Sequence, residues 1–406
     1  MDTTLLAVIG VIALCAAFDY TNGFHDSANS VATIIATGVL RPRQAVAWAA
    51  GWNFIAFLVF GTAVANTVAT TVDPGDISLA LIFAAVVGAT IWNLISWHLG
   101  LPTSSSHALV GGLVGAGVVA AGWDAINMAS IQKVAIFLIV SPLVGFVLAG
   151  VMTLVIRFGL RGRDAERVGS KFGRAQLVSS AAVSLGHGGN DAQKTMGVVA
   201  AVLIAGGYLD GSGEIDIPLW VVLLAHSAIA AGTYAGGWRI VQTMGHRITE
   251  LTPITGFTAE TSAATALFVS TAVGAPVSTT QTTAGSIGGV GAASPDTRVE
   301  WSTFRQVFSA WLLTVPSAAL IGAFAYVVTT GPPPVVAGIA IGVGFLATCW
   351  LAYRSMQASV GAEDFERLTV ADGVVEIHEN VPEDLAEDRP ANDLASKPPD
   401  EIREAG

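Results

Sequence analysis

Apolar runs of about 15 to 25 residues recur along nearly all of this 406-residue chain, and a helix that crosses a bilayer needs about 20 such residues. Soluble domains do not sustain that pattern, so the chain reads as an all-α polytopic membrane protein. The runs fall near 4–18, 27–40, 44–66, 79–99, 107–122, 131–156, 175–186, 192–207, 218–236, 261–273, 282–293, 306–330 and 335–353. The 45 glycines fit close packing in lipid, where small residues let helix backbones approach. Residues 4–18 have the length of a signal-peptide core, but Met1-Asp2 supplies no basic flank, so a retained first helix is expected.

The net charge of -11 is concentrated at one end. Residues 354–406 hold 14 Asp and Glu against 5 Lys and Arg, which leaves only -2 for the rest. That tail is polar and aperiodic and is expected to be disordered, apart from LTVADGVVEIHE, whose pattern suits a short hairpin. No basic patch points to nucleic acid. Cys15 and Cys349 sit in separate apolar runs, with no spacing that suggests a disulfide or a metal site.

Basic residues mark some loops and avoid others. Arg41 and Arg43, the group from Arg157 to Arg174, Arg239 and Arg247, Arg298 and Arg305, and Arg354 form one set; loops near 67–78, 208–217 and 329–335 have none. The positive-inside rule puts the first set in the cytoplasm and the second outside. Two blocks also repeat. NGFHDSANSVATII at 22–35 matches HGGNDAQKTMGVVA at 187–200, with Asp26 opposite Asp191 and Asn29 opposite Lys194. GLPTSSSHALVG at 100–111 matches GAPVSTTQTTAG at 274–285 without gaps. The loop charges give the two copies opposite orientations, as in many secondary transporters. The expected organisation is a first transmembrane repeat at 1–157, a basic cytoplasmic loop at 158–174, a second, inverted repeat with a final helix at 175–353, and the acidic cytoplasmic tail at 354–406. Each Pro-Ser/Thr block would be the tip of a re-entrant hairpin.

Asp19, Asp26, Asp191, Lys194 and Glu260 lie in otherwise apolar segments. An ionisable group in a membrane costs a few kcal/mol or more, so it lines a pathway or pairs with a partner. From Asp19 to Asp26 and from Gly186 to Asp191 the sequence is rich in Gly and Asn, poor helix formers, so both stretches are expected to be unwound. Pro102-Thr103-Ser104-Ser105-Ser106 and Pro276-Val277-Ser278-Thr279-Thr280 each precede a glycine-bearing helical run. Proline favours a first helical turn and Ser or Thr its cap, and such an N-terminus binds anions. Two such ends facing each other would hold a tetrahedral oxyanion. His25, His107, His187 and His226 lie in or beside apolar runs and suit either a proton relay or a structural role.

At this point the motifs GFHDSANSVAT, LPTSSSHALVGG, GHGGNDAQKTMG, GGWRIVQTMG, GFTAETSAA and PVSTTQTTAG together resemble the inorganic phosphate transporter (PiT) family, in its bacterial low-affinity branch. The resemblance covers roughly residues 15–325. It implies a secondary symporter for inorganic phosphate. It places ion and substrate groups at Asp26, Asn29, Asn190, Asp191 and Lys194, and phosphate contacts at Ser104, Ser105, Ser106, Ser278, Thr279 and Thr280. Glu260 matches the acid of the family's GF-x-x-E motif. Sodium-coupled members often carry an acid where this chain has Asn53, and a His where it has Gln281. That departure favours protons over sodium, with Asp26, Asp191 and Glu260 as the coupling groups. The family also implies that phosphate travels with a divalent metal as a neutral complex, a metal that is cargo and not a resident cofactor.

The expected protein is therefore a multi-pass cell-membrane symporter of phosphate, with no enzymatic step, no cofactor and no nucleic-acid partner; a homo-oligomer is compatible with this reading. A sodium-coupled phosphate symporter and a sulfate permease on the same scaffold are the nearest alternatives. A passive channel and an intramembrane serine hydrolase are further ones, the latter disfavoured because Ser106 and His107, adjacent on one helix, point about 100° apart.

Overall fold

The computed structural model describes residues 3–331 and 333, apart from positions 70, 72–76, 164, 212–214, 276 and 296. The chain divides into Met1–Ala362 and Glu363–Gly406. The final apolar run, Cys349, the acidic tail with its expected hairpin, and Pro276 all lie outside the described residues.

Every regular element among the described residues is helical. In chain order they are α1 (Thr3–His25), α2 (Ser27–Ala36), α3 (Pro42–Ile55), α4 (Ala63–Ala69), α5 (Leu79–His98), α6 (Ser105–Ala121), α7 (Met128–Gly159), α8 (Ala165–Ala205), α9 (Leu219–Ala235), α10 (Trp238–Gln242), α11 (Pro253–Ala272), α12 (Thr279–Ala293) and α13 (Trp301–Thr330). Among the described residues, four stretches are long and apolar enough to cross a membrane: Thr3–Ala36, Leu79–His98, Ile131–Gly159 and Trp301–Thr330. Two more become spans if bent pairs are counted whole. Pro42–Leu58 turns by 87° into α4, and α9 turns by 67° into Trp238–Arg247. The run expected at 44–66 is thus a broken helix.

Two hairpins, α5–α6 and α11–α12, turn in the same way. Each first helix stops at a glycine in the left-handed region, Gly100 (φ 66°) and Gly274 (φ 67°), which a side chain would strain. Each stop is closed by the same pair of bonds: Gly100 N to Trp97 O and Leu101 N to Ser96 O, and Gly274 N to Thr271 O and Ala275 N to Ser270 O. Ser104 and Ser278 then cap α6 and α12 by accepting from His107 N and Gln281 N, both at 3.2 Å. Unlike ordinary connecting loops, residues 103–106 and 277–280 at the two tips are buried.

Helix packing around the hairpins is equally matched. A Cβ on Gly111 would lie 2.6 Å from Val315 O and one on Gly115 1.9 Å from Ala319 O, so α6 and α13 meet backbone to backbone. On α12, Gly285 and Gly289 press against Pro142 O and Phe146 O of α7, each at 2.2 Å by the same measure. Gly111 aligns with Gly285, so each hairpin's second helix is gripped by the long, proline-bearing helix of the other half of the sequence. This is the small-residue packing that association in lipid requires.

One expectation is corrected. The stretch from Gly186 to Asp191 is not unwound; α8 runs through it without a break. Its glycines serve contact. A Cβ on Gly188 would lie 2.5 Å from Asn53 O, and one on Gly189 2.1 Å from the Phe60 ring. The first stretch, Asp19 to Asp26, is not unwound either: α1 stays helical through His25, and Asp26 alone, at φ -92° and ψ 3°, separates it from α2.

Candidate functional site

The two Asp blocks and the two hydroxyl tips converge on one buried place. In the first half, Ser105 Oγ lies 3.0 Å from Asp26 Oδ2 and 2.5 Å from Asn22 Oδ1, one donor shared by two acceptors. In the second, Thr279 Oγ1 donates to Asp191 Oδ2 at 3.2 Å. Asp26 aligns with Asp191 and Ser105 with Thr279, so the same bond is made twice.

A second pair of bonds crosses between the halves. Asn29 Nδ2 donates to Thr280 Oγ1 at 3.0 Å and reaches Thr279 Oγ1 at 3.3 Å. At the aligned position Lys194 Nζ donates to Ser106 Oγ, and also to Val277 O at 3.0 Å and Asp191 Oδ1 at 2.5 Å. Each Asp therefore holds the first hydroxyl of its own tip, and the residue one turn later grips the second hydroxyl of the other tip. Asn190 ties α8 to the second tip through Thr271 Oγ1 at 2.9 Å and Ala275 O at 3.3 Å.

Ser104 and Ser278 face their own helices as caps; Ser105, Ser106, Thr279 and Thr280 carry the hydroxyls that meet in the centre. Lys194 is the one Lys or Arg side chain that is buried among the described residues. It is bonded to Asp191, and Asp26 brings a ligand atom within 4.8 Å of one on Asp191, so two carboxylates and one ammonium gather here. Asp26, His187 and Asp191 bring one ligand atom each to within 4.8 Å of one another, a spacing that can hold a small cation. His187 Nε2 lies 3.4 Å from Asp191 Oδ2 without a hydrogen bond. Asn29 Oδ1, Asn190 Oδ1 and both polar atoms of Gln281 are buried without partners. Buried polar atoms are nearly always satisfied, so orphans gathered in one place mark where a ligand completes the bonding.

Glu260 is not in this cluster. It accepts from Thr33 Oγ1 (2.5 Å) and Gln176 Nε2 (3.0 Å) at Oε1 and from Ser179 Oγ (2.5 Å) at Oε2. Thr33 stands one turn beyond Asn29 on α2, which links the two clusters through one rigid turn. His107 follows the first tip, but both its ring nitrogens are buried without partners. Asn53 donates to Thr233 Oγ1 at 2.8 Å, a tie between α3 and α9.

The sequence reading named His25 without its partners and did not find the tie from α13 to the first tip. His25 Nδ1 meets Asp26 Oδ1 at 2.6 Å, its Nε2 lies 3.0 Å from Ser96 Oγ, and Thr103 Oγ1 donates to Ser96 Oγ at 2.8 Å. A histidine beside an acid in a membrane segment was the available signal; Ser96 in an ordinary apolar run gave none. The first tip is also pinned from α13, where Trp311 Nε1 donates to Pro102 O at 2.8 Å, a contact no local pattern announces.

Comparison with known proteins places these residues in a family. The model of the phosphate transporter family matches residues 22–171 and 159–322. A probable low-affinity inorganic phosphate transporter of Rhizobium meliloti (strain 1021) is 50% identical over 329 residues, covering 80% of this chain and 98% of that protein. Its counterpart in Bacillus subtilis (strain 168) is 38% identical over 329 residues, with the same coverage of 80% and 98%. A solved structure described as "the sodium-dependent phosphate transporter" matches with a TM-score of 0.71 at 26% identity, covering 79% of this chain and 98% of that one. With its apolar spans and broken helix pairs, this chain is a multi-pass membrane protein that belongs to the phosphate transporter family.

Proposed function

We propose that the protein is a secondary active symporter that imports inorganic phosphate by alternating access and is driven by protons. The observation that carries this reading is the crossed grip, in which Asn29 reaches Thr280 and Lys194 reaches Ser106. It sets four hydroxyls and one ammonium around a single buried point. A tetrahedral oxyanion fits there, taking bonds from Ser105, Ser106, Thr279 and Thr280, from the N-terminal turns of α6 and α12, and from Asn29, Asn190 and Lys194.

Charge supplies the argument for symport. Two carboxylates against one ammonium repel an anion in a low-dielectric site, so phosphate enters only with cations. Asp26 and Asp191 accept the coupling ion. Glu260 couples from a distance, because Thr33 ties its carboxylate to the helix turn that carries Asn29. A divalent metal carried with phosphate as a neutral complex meets the same charge requirement and would be cargo. Phosphate over sulfate follows from the same acids, since phosphate retains a proton near neutral pH that Asp26 or Asp191 can accept.

Two hairpins with buried tips, gripped reciprocally by α7 and α13, support an inverted repeat whose re-entrant hairpins enter from opposite faces. The domain scheme of 1–157, 158–174 and 175–353, with 354–406 as a tail, belongs to this reading. Sodium coupling is the second reading: the solved structure is described as sodium-dependent, and Asp26, His187 and Asp191 have a spacing that suits a cation.

Labelled phosphate uptake into proteoliposomes tests the proposal, with a proton gradient, a sodium gradient or neither. Uphill uptake on protons alone, lost in Asp26→Asn and Asp191→Asn, is expected. Uptake on sodium alone would replace the coupling ion, and sulfate uptake without phosphate uptake would replace the cargo.

A further inference from the structure

Asp19 lies on α1 seven residues before Asp26, the residue at which that helix breaks, with Asn22 between them. It is fully buried, and the site described above makes no use of it. Asp19 Oδ1 accepts only a long bond from Asn22 Nδ2, 3.4 Å, and Oδ2 has no partner. From α8 the Thr195 hydroxyl faces this carboxylate without closing a bond on it, and it too is buried without a partner.

The charged groups around Asp19 are accounted for. On its own helix are Cys15 and His25, with Asp26 at the break just beyond; His25 is held by Asp26 and Ser96. From α8 come Asp191, His187 and Lys194, and the lysine is already engaged with Asp191, Ser106 and Val277. From α9, His226 turns Nδ1 to Val222 O at 3.0 Å, and Tyr234 is exposed. His98 of α5 is exposed, and α2 has no titratable side chain. Asp19 is thus a buried carboxylate with no Lys, Arg or His bonded to it among the described residues.

A carboxylate in that position needs either a cation or a bound proton. Hard metal ions take about six oxygens, and the polar groups found facing Asp19 are one hydroxyl and one carboxamide. The geometry points to Asp19 as a second proton site of the transport cycle, a carboxyl whose proton sits on Oδ2 and is donated to Thr195 Oγ1. This rests on the proton-coupled reading and extends it from the central pair to a third acid, on α1.

The site is wired to the centre. Asn22 faces Asp19 with its Nδ2 and accepts the Ser105 hydroxyl with its Oδ1, and Ser105 also faces Asp26. Loss of the proton from Asp19 strengthens its hold on Asn22 and so changes the acceptor presented to the first tip. Extending the repeat alignment back by three residues puts Ser184 opposite Asp19, and its hydroxyl is bonded to Ser180 O at 2.8 Å. The proton site is therefore a property of one half only.

The test is Asp19→Asn, which keeps the shape and the contact to Asn22 but cannot bind the proton. Phosphate counterflow in proteoliposomes, which needs no net proton movement, should stay close to the unsubstituted rate. With the membrane potential clamped, a gradient of one pH unit gives each coupled proton a tenfold accumulation, so the steady-state ratio should fall about tenfold. An unchanged ratio overturns the inference and leaves proton coupling standing. Loss of counterflow at unchanged thermal stability assigns Asp19 to phosphate binding and also overturns it. No proton-driven accumulation in the unsubstituted protein overturns both readings together. If Asp19→Asn does not fold, infrared spectra of the unsubstituted protein and Asp19→Glu decide: a carboxylic-acid C=O stretch must be present and must shift, and a band that does not move sinks the proposal.

Discussion

Asp26 sits at a one-residue break between α1 and α2 and is bonded to a histidine, whereas Asp191 sits inside an unbroken α8 and is bonded to a lysine. Around each the hydrogen bonding is the same: the acid meets the first hydroxyl of its own tip, and the next turn reaches the second hydroxyl of the opposite tip. Geometry has been kept between the halves while charge has diverged. Asn29 supplies a neutral donor where Lys194 supplies a cation. In the proposed cycle the Lys194 half contributes attraction for the anion, and the Asp26 half contributes the vacancy that a coupling cation fills.

Lys194→Met should break this comparison most severely. It strands Asp191 as a buried, uncompensated charge, and losing one partner of such a pair costs about 3–5 kcal/mol. Thermal unfolding in detergent should show the drop, with partial recovery in the Lys194→Met/Asp191→Asn double variant. Asn29→Ala, at the aligned neutral position, removes ordinary hydrogen bonds and should cost about 1 kcal/mol. Equal losses at the two positions would contradict the division of roles.

Gly188→Ala sharpens the backbone half of the comparison. Helix propensity alone predicts a gain of about 1 kcal/mol in an unbroken helix. The added methyl would meet Asn53 backbone atoms at 2.5 to 3.0 Å, so a net loss of about 1–3 kcal/mol is expected from overpacking. A stabilised Gly188→Ala protein would mean that close contact is not why the glycine is there. The smallest effect belongs to the caps: Ser104→Ala and Ser278→Ala should each cost about 1 kcal/mol of stability and alter phosphate affinity little, because these hydroxyls face their own helices.

Much of this arrangement is legible in the sequence because membrane-buried chemistry is rare and therefore conspicuous. Asp26, Asp191, Lys194 and the hydroxyl tips stand out against apolar surroundings, and their spacing repeats. The same rarity misled the reading of Gly186 to Asp191. Glycine serves both unwinding and close packing, and only the neighbours Asn53 and Phe60, far away in sequence, decide which. Contacts such as Trp311 to Pro102, Gln176 to Glu260 and Ser96 to His25 were invisible because they join distant helices through residues that are ordinary in their own segments. The bend after α3 was hidden because apolar composition continues through it, whereas the apolar run near 218–236 ends where α9 does.

The central claim is that both tips hold one phosphate, and phosphate binding to the purified protein tests it most directly. Ser105→Ala and Thr279→Val should each weaken binding about 10- to 100-fold, the range for a hydrogen bond to a charged group. The double variant should lose less than the product of the two, because residues that share one ligand couple. Unchanged affinity in either single variant would mean that its tip does not touch the phosphate, and the two-tip site would be wrong.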